Sequence, residues 1–140
     1  MNIGKFILNV IVAFVAYGAL YTGGTMMFAD QFAAAMEASN PESIGVLVYH
    51  LVQTVVVVWL FNKAVGSGDM KAGAVFGTMI GLYLLASDAV WFSTVKDFPG
   101  DARMVLGVMH LVVGAIVGML LAFMQGKGWG SSAIAAETPD

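Results

Sequence analysis

The apolar stretch Met104–Met124, MVLGVMHLVVGAIVGMLLAFM, decides the fold class of this chain. It has the length that a helix needs to cross a bilayer, about 20 residues for roughly 30 Å of hydrocarbon. A second apolar stretch, Ile44–Asn62, lies sixty residues earlier, and its segment VYHLV (48–52) resembles VMHLV (108–112). The two stretches contain the only two histidines of the protein, His50 and His110.

The composition predicts a membrane protein of one domain. Of its 140 residues, 59% are hydrophobic and only 11% are charged, and the mean hydropathy is +0.85. A water-soluble domain of this size cannot bury so much apolar surface, because too large a share of its residues faces the solvent. The absence of cysteine excludes disulfides and thiolate metal sites. The sequence has no basic cluster that would bind nucleic acid. The hydropathy predicts that the lipid bilayer surrounds the protein.

Four segments are apolar and long enough to span a bilayer. Backbone groups cannot remain unpaired in hydrocarbon, so each segment must be helical. Short polar links make neighbouring helices antiparallel, and we expect an all-α integral membrane up-down four-helix bundle over residues 1–127. In the long first link, Gln31–Ala38 either extends the first helix or lies along the membrane surface. The expected spans are 6–28, 44–62, 72–94 and 104–124, followed by a polar cytoplasmic tail at 128–140.

The similarity between the second and fourth spans also suggests an internal repeat. The first and third spans match more weakly at an offset of sixty-two, for example Phe14 with Phe76 and Tyr21 with Tyr83. Leucine and valine coincidences are common in membrane helices, so a duplicated two-helix hairpin and chance similarity both stay open. A duplicated hairpin would place His50 and His110 at the same depth.

The lysines predict the orientation. Four of them lie on the side of the chain termini, and cytoplasmic loops are enriched in positive charge. We therefore expect a protein of the inner membrane whose N- and C-termini both face the cytoplasm. The lysines on that side are Lys5, Lys63, Lys71 and Lys127.

Three titratable side chains are predicted to form one polar layer. Asp88 is the only one of the fifteen charged residues that lies well inside an apolar segment, and such residues usually face the bundle interior with a partner. At 1.5 Å per residue, Asp88 lies about 9 Å below the outer end of its span, and His50 and His110 lie about as deep. His50 shares a helix face with Gln53 and Thr54, the most polar stripe of its span.

Two glycine series are expected to bring helices together. Glycine at every fourth position allows two helix backbones to approach closely within a membrane. In the third span Asp88 continues this ridge, and in the fourth span His110 lies beside the glycines, so both side chains should face protein. The two series are Gly73, Gly77 and Gly81 in the third span, and Gly107, Gly114 and Gly118 in the fourth.

The favoured functional hypothesis is a small binding or accessory subunit with a His50/His110/Asp88 ligand layer on the periplasmic side. Haem b is the favoured specific ligand, because two inward histidines on diagonal helices can ligate one iron. A metal site on these three groups is less favoured, since no close His-x-x-x-His spacing exists, and the identity of any metal stays unknown. A proton- or cation-coupled transporter is a further alternative.

The remaining alternative is a purely structural subunit, in which the three groups only satisfy one another. Expected partners are other membrane subunits or further copies of the chain. No nucleophile with an adjacent base and no nucleotide-binding loop is present in the sequence, so an enzyme is the less favoured class.

The second half of the chain resembles a family of small four-span bacterial membrane proteins catalogued only as a domain of unknown function. The family pattern has a glycine-rich start of the third helix and a His-Leu-containing fourth helix that ends in glycines. The first span resembles it through Ala16–Tyr21, AYGALY, although Leu20-Tyr21 replaces the expected Trp-Tyr. The resemblance implies four spans and no particular activity. The matching residues of the second half are Gly73, Gly77, His110, Gly114 and Gly118.

Overall fold

A computed structural model of the protein describes residues 1–39, 42–94 and 99–131. The described residues form helices and no strand, which confirms the predicted all-α class. Four of the helices are long and apolar enough to cross a membrane, and their ends lie within about one turn of the predicted ones. The helices are α1 (Ile3–Met27), α2 (Ala29–Ser39), α3 (Ser43–Ala64), α4 (Met70–Thr94) and α5 (Gly100–Gly126).

The helix α2 covers the segment Gln31–Ala38, for which the sequence left open an extension of the first helix or a position along the membrane surface. The backbone at Phe28 leaves the helical region, with φ −118° and ψ 38°, and this break separates α2 from α1. Ala35 of α2 is buried against Phe92 of α4 and Ala102 of α5. The first link therefore folds over the adjoining ends of α4 and α5 instead of extending the first helix.

The most extensive helix contact joins α4 and α5. These two helices are antiparallel, since Gly73 lies against Gly118 while Gly81 lies against His110. The helix α1 contacts both α3 and α5, whereas α3 has only small contacts with α4 and α5. In this arrangement α5 lies between α4 and α1, and α3 is the helix with the least direct support from α5.

The main core lies between α1, α3 and α5, in the half of the molecule that contains the chain termini. Its buried side chains alternate with outward-facing ones along each helix, and many large apolar residues of α1 and α3 remain exposed, as expected for lipid-facing surfaces. The buried members are Val10, Ala13, Tyr17, Val57, Val58, Phe61, Val113, Val117, Leu121 and Ala122.

The link between α3 and α4 is fixed by two local features. Gly66 has φ 56°, a left-handed conformation that suits glycine at a helix end. The Asp69 carboxylate accepts hydrogen bonds from the backbone N–H groups of Lys71 and Ala72, at 2.8 and 3.2 Å. Asp69 thereby pairs two of the N–H groups that the first turn of a helix leaves free.

The segment Gly128–Ser131, called the strap below, folds back onto the ends of α1 and α3. The Asn9 amide donates to the carbonyl of Trp129 at 2.8 Å, and the Lys5 ammonium donates to the carbonyl of Gly128 at 2.7 Å. Ser131 at its end is fully buried. The first part of the predicted polar tail is thus a structural element, and residues 132–140 lie outside the described chain.

Candidate functional site

The centre of the site is a hydrogen bond between α4 and α5. His110 Nε2 lies 2.7 Å from Asp88 Oδ2. The His110 side chain is 9% exposed and that of Asp88 30%, so the imidazole is enclosed while the carboxylate reaches the edge of the protein. The sequence predicted a partner for Asp88, and in the structure that partner is His110.

The glycine contacts explain why these two side chains meet. A Cβ atom on Gly77 would lie 1.9 Å from the carbonyl oxygen of Gly114, and one on Gly81 would lie 2.2 Å from that of His110. Only glycine permits so close an approach of two helix backbones. Asp88 follows Gly81 by about two helical turns, so this contact sets the distance between α4 and α5 at the site.

The other glycines of the two series also lie at the contact between α4 and α5. Gly73 lies against Gly118, and Gly107 lies against the Leu85 side chain rather than against backbone. The predicted packing glycines of both series thus lie between α4 and α5.

Tyr21 of α1 is the third member of the site. Its hydroxyl forms a short hydrogen bond with His110 Nδ1, and the two rings meet edge to face with centroids 5.5 Å apart. Tyr21 was not among the residues predicted for the site. Tyr17, one turn earlier and on the same face, is buried, and a tyrosine directed inwards in an apolar span usually has a polar partner. The spacing of Tyr17 and Tyr21 by one helical turn was the signal in the sequence that could have selected Tyr21.

Donor and acceptor chemistry fixes the direction of the bonds. An ionised Asp88 only accepts hydrogen bonds, so the hydrogen between the two side chains belongs to His110 Nε2. In a neutral imidazole Nδ1 then accepts from the Tyr21 hydroxyl, whereas in an imidazolium Nδ1 donates to the Tyr21 oxygen. Tyr21, His110 and Asp88 therefore form one continuous hydrogen-bonded chain across three helices.

His50 lies beside this chain but is not bonded to it. Its ring centroid is 6.3 Å from that of Tyr21 and 5.6 Å from that of Tyr49. Gln53, one turn along α3, is the polar side chain that interacts with the His50 ring. Thr54 is buried, and its hydroxyl donates to the backbone carbonyl of His50 at 2.7 Å. The Thr54 hydroxyl is thus paired within its own helix, and it adds no free polar group to the predicted His50/His110/Asp88 layer.

A cavity of about 150 Å³ opens beside the carboxylate. Asp88, His110 and Arg103 are its polar side chains, and the Phe92 ring forms part of its wall. Arg103 donates a hydrogen bond to the backbone carbonyl of Phe92 at 2.9 Å. The cavity therefore lies at the Asp88 end of the chain, and Tyr21 at the other end is partly buried.

The site offers little to a metal ion. Within residues 1–39, 42–94 and 99–131, no three histidine or acidic side chains come together in a group that could hold one. Both ring nitrogens of His110 already have hydrogen-bonding partners, Tyr21 and Asp88. Ligation of haem iron by His110 would require one of these bonds to break.

Comparisons with known proteins indicate neither a family nor a function, so any function has to be argued from the site. No family model, no curated protein and no solved structure matches the chain. The resemblance to the four-span family therefore stays a prediction.

Proposed function

We propose that the protein is a small membrane subunit that binds and releases a proton at the chain formed by Tyr21, His110 and Asp88. The observation behind the proposal is the 2.7 Å contact between His110 and Asp88, with the carboxylate at a cavity and the imidazole enclosed. Ionisable groups within membrane spans are costly, and they are typical of proton relays and ligand sites.

The chain can change its protonation with little movement. A proton taken up at His110 Nδ1 reverses the Tyr21 hydrogen bond, because the phenol oxygen then accepts instead of donating. The positive charge that results faces Asp88, whose carboxylate compensates it. Uptake therefore requires rotation of one hydroxyl group, and the glycine contacts can hold the helices in place throughout.

The site supports a proton better than it supports haem b. Haem ligation by His50 and His110 remains an alternative from the sequence, but it would cost His110 a hydrogen bond to Tyr21 or Asp88. An absorption spectrum separates the two hypotheses. A Soret band that is lost in both His50→Ala and His110→Ala would establish haem and overturn the proton site.

Location and assembly belong to the same proposal. The distribution of lysines supports the bacterial inner membrane, with both termini in the cytoplasm. The long apolar faces of α1 and α3 support contact with lipid and leave room for neighbouring subunits.

The presence of only two histidines makes the proton directly measurable. Protein labelled with ¹⁵N-histidine gives ring-nitrogen NMR signals from His50 and His110 alone, and a His50→Gln variant assigns them. We expect the His110 ring nitrogens to change reversibly between the signals of a charged and of a neutral ring as the pH is varied.

His50 and Asp88 supply the controls. The Asp88→Asn variant should change the His110 signals more than those of His50, because the carboxylate is hydrogen-bonded to His110. A His110 ring that keeps one protonation state at every pH at which the protein stays folded would contradict the proposal. The three groups would then only stabilise the fold.

A further inference from the structure

The strap ends in a buried polar contact far from the proposed proton site. Asn62, in the last turn of α3, donates from its side-chain Nδ2 to the hydroxyl oxygen of Ser131 at 2.6 Å. Asn62 is 8% exposed and Ser131 is fully buried. Both groups therefore have to complete their hydrogen bonds without bulk water.

The hydrogen bonds of this pair are incomplete. The Asn62 side-chain oxygen, Oδ1, is buried and has no hydrogen-bonding partner in the described structure. The Ser131 hydroxyl accepts from Asn62, and its own hydrogen is still to be donated. The pair thus has one unsatisfied acceptor and one unsatisfied donor next to each other.

A different orientation of the amide does not remove the problem. If the Asn62 amide is rotated by a half turn, Oδ1 accepts from the Ser131 hydroxyl, but the Nδ2 group then takes the buried position without a partner. A buried amide group without a partner is destabilising in either orientation. The contact therefore needs a third group that can both donate and accept.

We infer that Asn62 and Ser131 bind one water molecule beneath the strap. The molecule donates to Asn62 Oδ1 and accepts from the Ser131 hydroxyl, which closes a ring with the bond from Asn62 to Ser131. Buried waters typically fill such positions with two to four hydrogen bonds. Bonds in a closed ring also strengthen one another.

The charge of the surroundings favours water over a monovalent cation. The Lys5 ammonium binds the Gly128 carbonyl at the start of the same strap. Asn9 uses its amide on the carbonyls of Lys5 and Trp129, at 2.6 and 2.8 Å. A second positive charge would be repelled by Lys5, and no acidic side chain among the described strap contacts offsets it.

Water binding at this position would complete the attachment of the strap. The strap continues from α5, and it connects the end of that helix to α1 through Asn9 and to α3 through Asn62. Because α3 has only small contacts with α5 itself, the hydrated pair at Ser131 would add to the bond that the Gln125 amide of α5 donates to the Gly66 carbonyl at 3.0 Å.

NMR of the intact protein in detergent micelles tests the inference. In protein labelled with ¹⁵N-asparagine, the side-chain amide signals are correlated with water by cross-relaxation. We expect a water cross-peak at Asn62, assigned by its loss in Asn62→Val, and we expect Ser131→Ala to abolish the cross-peak while the Asn62 signal remains.

Asn9 provides the matched control in the same spectrum. It is also buried, but its amide donates to two protein carbonyls, so it should show no water cross-peak. Absence of the cross-peak at Asn62 would overturn the inference. A shift of the Asn62 signal on replacing choline by sodium or potassium at constant ionic strength would also overturn it, in favour of a cation.

Discussion

The two halves of the chain bring their helices together in different ways. In the second half, α4 and α5 approach backbone to backbone, with the carbonyl of Gly114 directly against Gly77. In the first half, α1 and α3 meet through large side chains such as Tyr17 and Phe61. If the halves arose by duplication, their packing has diverged.

The residues that replace the glycines explain the divergence. At the offset of sixty, Thr54 and Val58 of α3 take the places of Gly114 and Gly118. Val15 of α1 takes the place of Gly77 at the offset of sixty-two, and it is exposed. Branched side chains prevent close backbone approach, so α3 packs through the buried side chains of Thr54 and Val58, whereas α1 turns Val15 outward and packs through another face.

The difference has an energetic consequence. Apolar contact alone does not drive helix association in lipid, because the acyl chains are equally apolar. The pair α4–α5 gains close van der Waals packing and weak Cα–H···O contacts at the glycines. The helix α1 depends instead on polar ties at its two ends, through Asn9 to the strap and through Tyr21 to His110.

The largest expected effect is that of Gly77→Ala. The new Cβ would lie 1.9 Å from the Gly114 oxygen, and backbone atoms on both sides would have to separate. Overpacking of this kind costs about 3 kcal/mol or more. Unfolding in detergent micelles, followed by circular dichroism, measures the loss.

The control for this substitution is Gly18→Ala on α1. A Cβ at Gly18 meets no other atom within 4 Å. We expect a neutral or slightly stabilising effect, up to about 1 kcal/mol, because alanine favours the helix over glycine. Equal losses in the two variants would show that the glycines of α4 are not distinguished by backbone contact.

Substitution of Asp88 should have the next largest effect. Asp88→Leu leaves His110 Nε2 buried without an acceptor, and we expect a loss of about 1–3 kcal/mol. Asp88→Asn retains an oxygen that can accept from Nε2, so its loss should be about 1 kcal/mol or less. Thermal unfolding of both variants tests the order, and equal stability would mean that Asp88 has no buried partner.

Asn9→Ala tests the polar tie at the other end of α1. The variant loses the bond to Trp129, and we expect a global loss of about 1 kcal/mol. Hydrogen exchange should accelerate in the strap and remain unchanged in the middle of α4. The control is Thr78→Ala, because the Thr78 hydroxyl bonds only within its own helix. Uniformly faster exchange would contradict a local role for Asn9.

The sequence predicted the helices and the contact between Asp88 and His110 for a physical reason. A membrane span is visible in the sequence as a run of high hydropathy. A glycine seam, the line of close helix contacts at glycines, is visible as glycine at every fourth residue. Both are local signals. The pairing of Asp88 with His110 follows once that seam is recognised.

The contacts of the strap, of α2 and of Tyr21 were not predicted, because they join distant parts of the chain. Nothing local in the segment Gly128–Ser131 indicates that Asn9 and Asn62 bind it. His50 is a different case. A histidine in an apolar span suggested a ligand, yet its position on α3 leaves it beside Tyr21 without a bond to Asp88 or His110 in the described structure.

Tyr21→Phe removes a single hydroxyl, and its expected effect is about as small as that of Asn9→Ala. His110 Nδ1 loses its partner, while the aromatic contact with the imidazole remains. We expect a loss of about 0.5–1.5 kcal/mol. Tyr83→Phe is the control, because Tyr83 is 70% exposed, and its effect should stay within about 0.5 kcal/mol. If both variants unfold like the wild type, α1 is held by apolar packing and the strap alone, and the polar tie at Tyr21 contributes nothing to stability.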